Sequence, residues 1–134
     1  MDKLDREKLA TIVFAALRII AGVMFMCHGM QKLFGVLTEH QPPVGSQLWI
    51  GGVIELVTGG LIAVGLFARP AAFVASGQMA VAYFQFHWGF HFDRRVLPLA
   101  TGADDTVLYC LLFLWISIRG AGPASLDRSI RAVT

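Results

Sequence analysis

An all-α bundle of four antiparallel membrane-spanning helices, with both termini in the cytoplasm, is the fold this sequence predicts. Three observations lead to it. The chain of 134 residues is 56% hydrophobic and only 15% charged, which leaves too little polar surface to clothe a water-soluble domain. Four apolar runs are separated by short segments that carry glycine, proline and most of the charge. The basic residues then divide unevenly between the two sides, with Lys3, Arg6, Lys8, Arg69, Arg119, Arg128 and Arg131 against Lys32, Arg94 and Arg95. The richer side is the inner one. Residues 1–134 read as one membrane domain. A net charge of +2, scattered along the chain, does not suit nucleic acid. The expected surroundings are the lipid bilayer and, where there is a protein partner, another membrane or redox protein.

The first helix is expected at about residues 9–35. Its apolar run, Thr11 to Phe34, is interrupted by Arg18 and lacks a small-x-small cleavage site, so it reads as a retained helix and not a secretory signal. At 100° per residue Arg18, Gly22, Phe25, Gly29 and Lys32 fall on one stripe, which should face protein. A guanidinium deep in an apolar helix costs roughly 2.5–3.5 kcal/mol on insertion scales and calls for a partner. Glu55 is the carboxylate expected to answer it.

Pro42-Pro43 and Gly45 break the chain before a second helix at about 48–67, rich in glycine (Gly51, Gly52, Gly59, Gly60, Gly65) and carrying Glu55 as its single acid. Arg69-Pro70 makes a short turn into a third helix at about 71–91, small at its start and aromatic at its end. Asp104-Asp105 open a fourth helix at about 104–118, suiting the positive end of its dipole. A polar tail, 120–134, closes the chain.

Counting along the helices puts His28 and Lys32, Glu55, His87 and His91, and Asp104, Asp105 and Tyr109 at the same, outer end. Ionisable residues within membrane helices usually mark a binding or proton-handling site. The inner halves of helices two to four are nearly bare of such groups, which offers no path for a solute carrier.

Arg18-x-x-x-Gly22, His28-Gly29-x-x-Lys32-Leu33, Glu55-x-x-x-Gly59-Gly60, Gly65-Leu66-x-x-Arg69, Ala82-Tyr83-Phe-x-x-His87 and Gly102-x-Asp104-x-x-x-Leu108-Tyr109 together resemble the DoxX family of small four-helix membrane proteins, over about residues 12–120. Family members commonly show Asn-Gly-Gly-Glu before the last helix, where this chain has Thr101-Gly102-Ala103-Asp104. The resemblance implies a protein of the bacterial inner membrane, named for a link to quinol oxidation and thiosulfate:quinone oxidoreduction.

The favoured functional reading is a redox-linked subunit that binds a quinone or similar lipid-soluble carrier near the outer leaflet. In it Arg18 and Glu55 form a buried charged core, Lys32 and His28 orient the head group, and His87 with Tyr109 or Asp104 handles protons. Glu55, His87 and Tyr109 are the catalytic candidates. The plainer readings stand beside it: an Arg18–Glu55 pair that only locks two helices, and a Lys32 that either snorkels to the interface or is a second partner for Glu55. His87 and His91, spaced i, i+4 on one face, are with His28 the candidates for a metal or haem, and are otherwise ordinary interfacial residues. Cys27 and Cys110, at similar depth, either pair or simply pack. Gln78 and Gln85 read as interhelical hydrogen-bond residues or as quinone-carbonyl donors. The competing class is a non-catalytic scaffold or assembly partner, docking a neighbour through its glycine faces at Gly51 or Gly59.

Overall fold

Glycine decides how the first two helices meet. In the computed structural model, which describes residues 2–133, α1 spans Lys3–Phe34 and α2 spans Gln47–Val64. Gly22 lies so close to α2 that a Cβ there would come within 2.8 Å of the Gly59 carbonyl oxygen, and Gly29 repeats this against Gly52 at 2.6 Å. The relation is reciprocal, since a Cβ on Gly59 would meet the Met26 amide at 2.5 Å. Two glycines seven residues apart on each helix therefore hold the backbones in contact and set an antiparallel register.

The turn into α3 (Ala68–Ala82) is made by Gly65 to Phe67, so the expected break at Arg69-Pro70 lies inside the first turn of α3, where proline is tolerated. Gly65, at φ +70°, ends α2 with the Leu66 amide bonded to Leu61 and its own amide to Ile62, the pattern that satisfies the last carbonyls of a helix. α-Helical bonding in α3 stops at Ala82 and continues as a π-helical turn, Tyr83–Trp88, closed by Gly89 at φ +60°. One 3-10 turn, Arg94–Val96, and the short α4, Pro98–Thr101, lead into α5, Asp104–Arg119.

α5 runs antiparallel to both α3 and α1. Ser76 of α3 donates to the Cys110 carbonyl at 2.8 Å, through a face of Ala71, Ala72, Ala75 and Ser76 that is buried. Against α1 the spacer is aromatic: Phe25 meets Phe113 at 4.8 Å and Phe14 meets Trp115 at 5.0 Å between ring centroids. Small residues thus draw two helix pairs together, and rings fill the wider gap.

Every described element is helical, with no strand among the described residues. Among these residues α1 and α2 are long and apolar enough to cross a membrane. At about 1.5 Å per residue the 32 residues of α1 reach about 48 Å, beyond a hydrocarbon core of about 30 Å, and its charged start extends past the apolar stretch. The expected start near residue 9 falls short because Arg6, Glu7 and Lys8 are good helix formers and Asp5 suits the positive end of the dipole, which carries α1 back to Lys3. Ile12, Ile20, Val57, Phe73, Leu111 and Ile118 point outward, an apolar girdle that water would not favour.

The expected polar tail is an integral part of the fold. It turns back at Gly120 and Gly122 and forms α6, Leu126–Val133. Asp127 accepts from the Phe67 and Ala68 amides at 2.8 and 3.1 Å, capping α3 from across the chain. Gly29→Ala should cost about 1–3 kcal/mol of stability in a detergent melt, because its methyl meets backbone. Gly77→Ala, which meets nothing within 4 Å, should be neutral or stabilising by up to about 1 kcal/mol.

Candidate functional site

Glu55 is 1% exposed, and its register opposite the last turns of α1 brings it to Lys32, not to Arg18. Lys32 Nζ lies 2.5 Å from Glu55 Oε1, and Gln78 Nε2 of α3 donates to the same oxygen at 3.1 Å and to the Gly51 carbonyl at 3.0 Å. Of the two readings of Lys32, the second partner for Glu55 is the one realised. The other carboxylate oxygen, Oε2, and the Gln78 carbonyl oxygen, Oε1, are buried without a protein partner.

The expected Arg18–Glu55 pair does not form. Arg18, 1% exposed, lies level with Ala63 and Gly65, some eight to ten residues further along α2 than Glu55, or about 12–15 Å at 1.5 Å per residue. Helix side chains also tilt toward the N-terminus, which turns Arg18 away from Glu55 and turns Lys32 toward it. The guanidinium donates instead to backbone carbonyls: Ala121, Ala124 at 2.7 Å and Ala63 at 3.5 Å. It thereby sits at the negative, C-terminal ends of α2 and α5.

A cavity of about 170 Å³ opens beside Glu55, lined by His28, Lys32, His87, Asp105, Thr106 and Tyr109, with Phe25, Met79 and Phe86 among its apolar walls. A second, of about 210 Å³, lies between α2 and α3 and shares Lys32, Leu48, Glu55, Ala82 and Phe86 with the first. Ile50, Ile54, Val81 and Gln78 line it, so Glu55 stands between a polar chamber and an apolar one. Side chains from α1, α2, α3, the π-helical turn and α5 converge here, His28, Lys32, Glu55, His87 and Tyr109 among them.

Several residues fall elsewhere. Arg18 is outside the cavity. Asp104 and Asp105 are both exposed, and it is Asp105, rotated by about 100° on α5, that lines the chamber. His87 reaches it from the π-helical turn, 3.4 Å from the Thr106 hydroxyl. His91 does not share its face, because Gly89 ends the helix between them and leaves His91 exposed in the loop. Among the described residues no group of three His, Cys, Asp or Glu is placed to hold a metal. His28 and His87 do both line the chamber, but its volume suits a single ring and not a porphyrin. Cys27 and Cys110 are unpaired, Cys27 exposed and Cys110 beside Ser76. Gln78 and Gln85 both act as interhelical hydrogen-bond residues, Gln85 accepting from Gln47.

Thr106 and Met79 escaped the sequence reading, which took Phe86 only as one of the aromatic residues crowding the end of the third helix, an interfacial belt or a flat apolar slot. A buried threonine in the first turn of α5 has no distinguishing pattern, and the π-helical turn changes the phase of Phe86 and His87 relative to an α-helix. In the loop after the π-helical turn, Asp93 and Arg95 clasp each other. The Arg95 guanidinium and amide bond the Asp93 carboxylate and hold its pKa at about 2.

The DoxX family model matches residues 13–88, from α1 through the π-helical turn, including Arg18, His28, Lys32, Glu55 and His87. An uncharacterized protein of Haemophilus influenzae is 39% identical over 125 residues, covering 90% of this chain and 92% of that protein. No solved structure matches.

Lys32→Met should cost about 3–5 kcal/mol by leaving a buried carboxylate without its cation, and adding Glu55→Gln should recover much of it. A double-mutant cycle should find Glu55 coupled to Lys32, while Arg18→Met and Glu55→Gln add to within about 0.5 kcal/mol. In the loop, the clasp forms above the ordinary Asp93 value of 3.8 and is lost as pH falls from there through about 2. Arg95→Ala should return the Asp93 midpoint to near 3.8 in a carboxyl NMR titration.

Proposed function

We propose a function on the footing that this chain belongs to the DoxX family of membrane proteins: it crosses a bacterial inner membrane four times, with both termini inside, and binds the ring of a quinone-class carrier beside Glu55. The observation that carries this reading is the buried, unpartnered Oε2 of Glu55, a residue that lines both chambers. A buried acceptor left without a donor is costly, by about 1–3 kcal/mol or more for a charged group, and a ligand hydroxyl would satisfy it.

Size and lining agree with a ring. An apolar cavity of roughly 150 Å³ accommodates benzene, and the polar chamber is of that order at about 170 Å³. Phe25, Phe86 and Met79 offer flat or polarizable walls. The adjoining chamber, lined by Ile50, Ile54 and Val81, leads toward residues half exposed on the lipid-facing surface, and suits an isoprenoid tail.

In this reading Glu55 Oε2 accepts the hydrogen of a reduced ring's hydroxyl, with Lys32 holding the other carboxylate oxygen still. His28 and Tyr109, packed at 6.2 Å between ring centroids, orient the ring from α1 and α5. His87, Thr106 and Asp105 carry a proton from the chamber to the outer surface. The carrier would supply the redox chemistry, and the chain would supply binding and proton handling. The scaffold alternative loses one of its docking faces, since Gly59 is already packed against Met26 of α1.

Protein purified in mild detergent should retain quinone in its lipid extract, and Glu55→Gln and His87→Ala should each lower retention about tenfold. Retention unchanged in both variants, with their melting temperatures intact, would exclude the site. Quinone absent from wild type, with a stoichiometric protein partner in its place, would favour the scaffold.

A further inference from the structure

The opposite end of the molecule carries a cavity of another character. About 480 Å³ in volume, it lies between the α2–α3 turn, the end of α5 and α6, and Arg69, Arg119, Arg128 and Arg131 line it. Among the described residues that line it the one carboxylate is Asp127, whose two oxygens are already engaged by the Phe67 and Ala68 amides. Arg69, Arg119 and Arg128 beside this committed acid make the pocket cationic.

Two of these arginines are held in place before any ligand arrives. Arg119 rests over the Phe14 ring at 4.1 Å and the Trp115 ring at 5.3 Å, and Arg69 is set against the Arg119 carbonyl and Gly120. Gly120, at φ +89°, leaves the space Arg69 occupies, because a Cβ there would meet Arg69 Nε at 3.0 Å. Planar guanidinium forks fixed around a cavity match the oxygens of a phosphate.

We propose that this cavity binds a phosphate group, separately from the ring site beside Glu55. The phosphate of an anionic lipid and a soluble phosphate share that chemistry, and α6 favours the lipid. Leu126 and Ile130 are half exposed on this helix while Arg128 and Arg131 stand on it too, the composition of a helix lying in a membrane interface. Basic pockets at the inner ends of membrane helices take up anionic head groups.

The test is thermal unfolding of the full chain in zwitterionic detergent, titrated with phosphatidylglycerol, phosphatidylcholine or inorganic phosphate, with retained lipid counted by native mass spectrometry. Phosphatidylglycerol should raise Tm saturably and phosphatidylcholine should not. Arg69→Gln/Arg128→Gln should raise the half-saturating phosphatidylglycerol concentration by about tenfold. If the double variant does not fold, Arg128→Gln alone, exposed on α6, makes the same comparison. An equal rise with inorganic phosphate, lost in the same variant, assigns the site to a soluble phosphate. No response to either anion, an equal response to both lipids, or an undiminished response in the variant overturns the proposal.

Discussion

The contact of Gly22 and Gly29 with Gly59 and Gly52 is the constraint on which the other interactions depend. Backbone against backbone leaves no slack for sliding, so the register of α1 on α2 is fixed to within a fraction of a turn. That register decides which charges can meet. It delivers Glu55 to Lys32 and takes Arg18 past the last turn of α2. Had the helices been spaced by larger residues, either pairing would have been open to long side chains.

Once Arg18 arrives at that level, the C-terminal segment becomes necessary. Carbonyls at the end of a helix lack intrahelical partners, and those of α2 alone offer the guanidinium a single long bond, which it donates to the Ala63 carbonyl. Residues 120–125 fold back to supply Ala121 and Ala124, Ser125 fits against Gly65, and Asp127 goes on to cap α3. A buried arginine, a glycine turn and a capped helix start are thus one unit. The polar composition of this segment reflects the groups it has to satisfy.

What the sequence made legible follows from periodicity. The stripe Arg18, Gly22, Phe25 and Gly29 is buried along α1, and the polar residues meet at one end, because 3.6-residue spacing and counted depth are properties of a single helix. Pairing across helices is not such a property. Arg18 with Glu55 was an inference from opposite charge, and it failed on register and on the N-terminal tilt of helix side chains. Asp104 against Asp105 is a matter of one position of rotation on α5, set by how Ala103 and the α4 turn deliver the chain. The separation of His87 from His91 depends on a π-helical turn and on Gly89 taking a left-handed conformation, neither of which is marked by a repeating pattern.

Two buried ionic groups each keep one atom without a partner, Arg18 Nε and Glu55 Oε2, and the difference between their surroundings is what singles out a site. Arg18 lines none of the three cavities, and its other nitrogens are engaged by carbonyls, so an imperfect Nε is the residue of a structural compromise. Glu55 faces two adjoining chambers whose walls change from histidine, tyrosine and aspartate on one side to isoleucine and valine on the other. Both residues are 1% exposed, so enclosure does not separate them; what differs is that Glu55 lines the two chambers and Arg18 lines neither. A buried carboxylate oxygen without a donor costs stability, and in the proposed reading a bound molecule with a polar head and an apolar body offsets that cost.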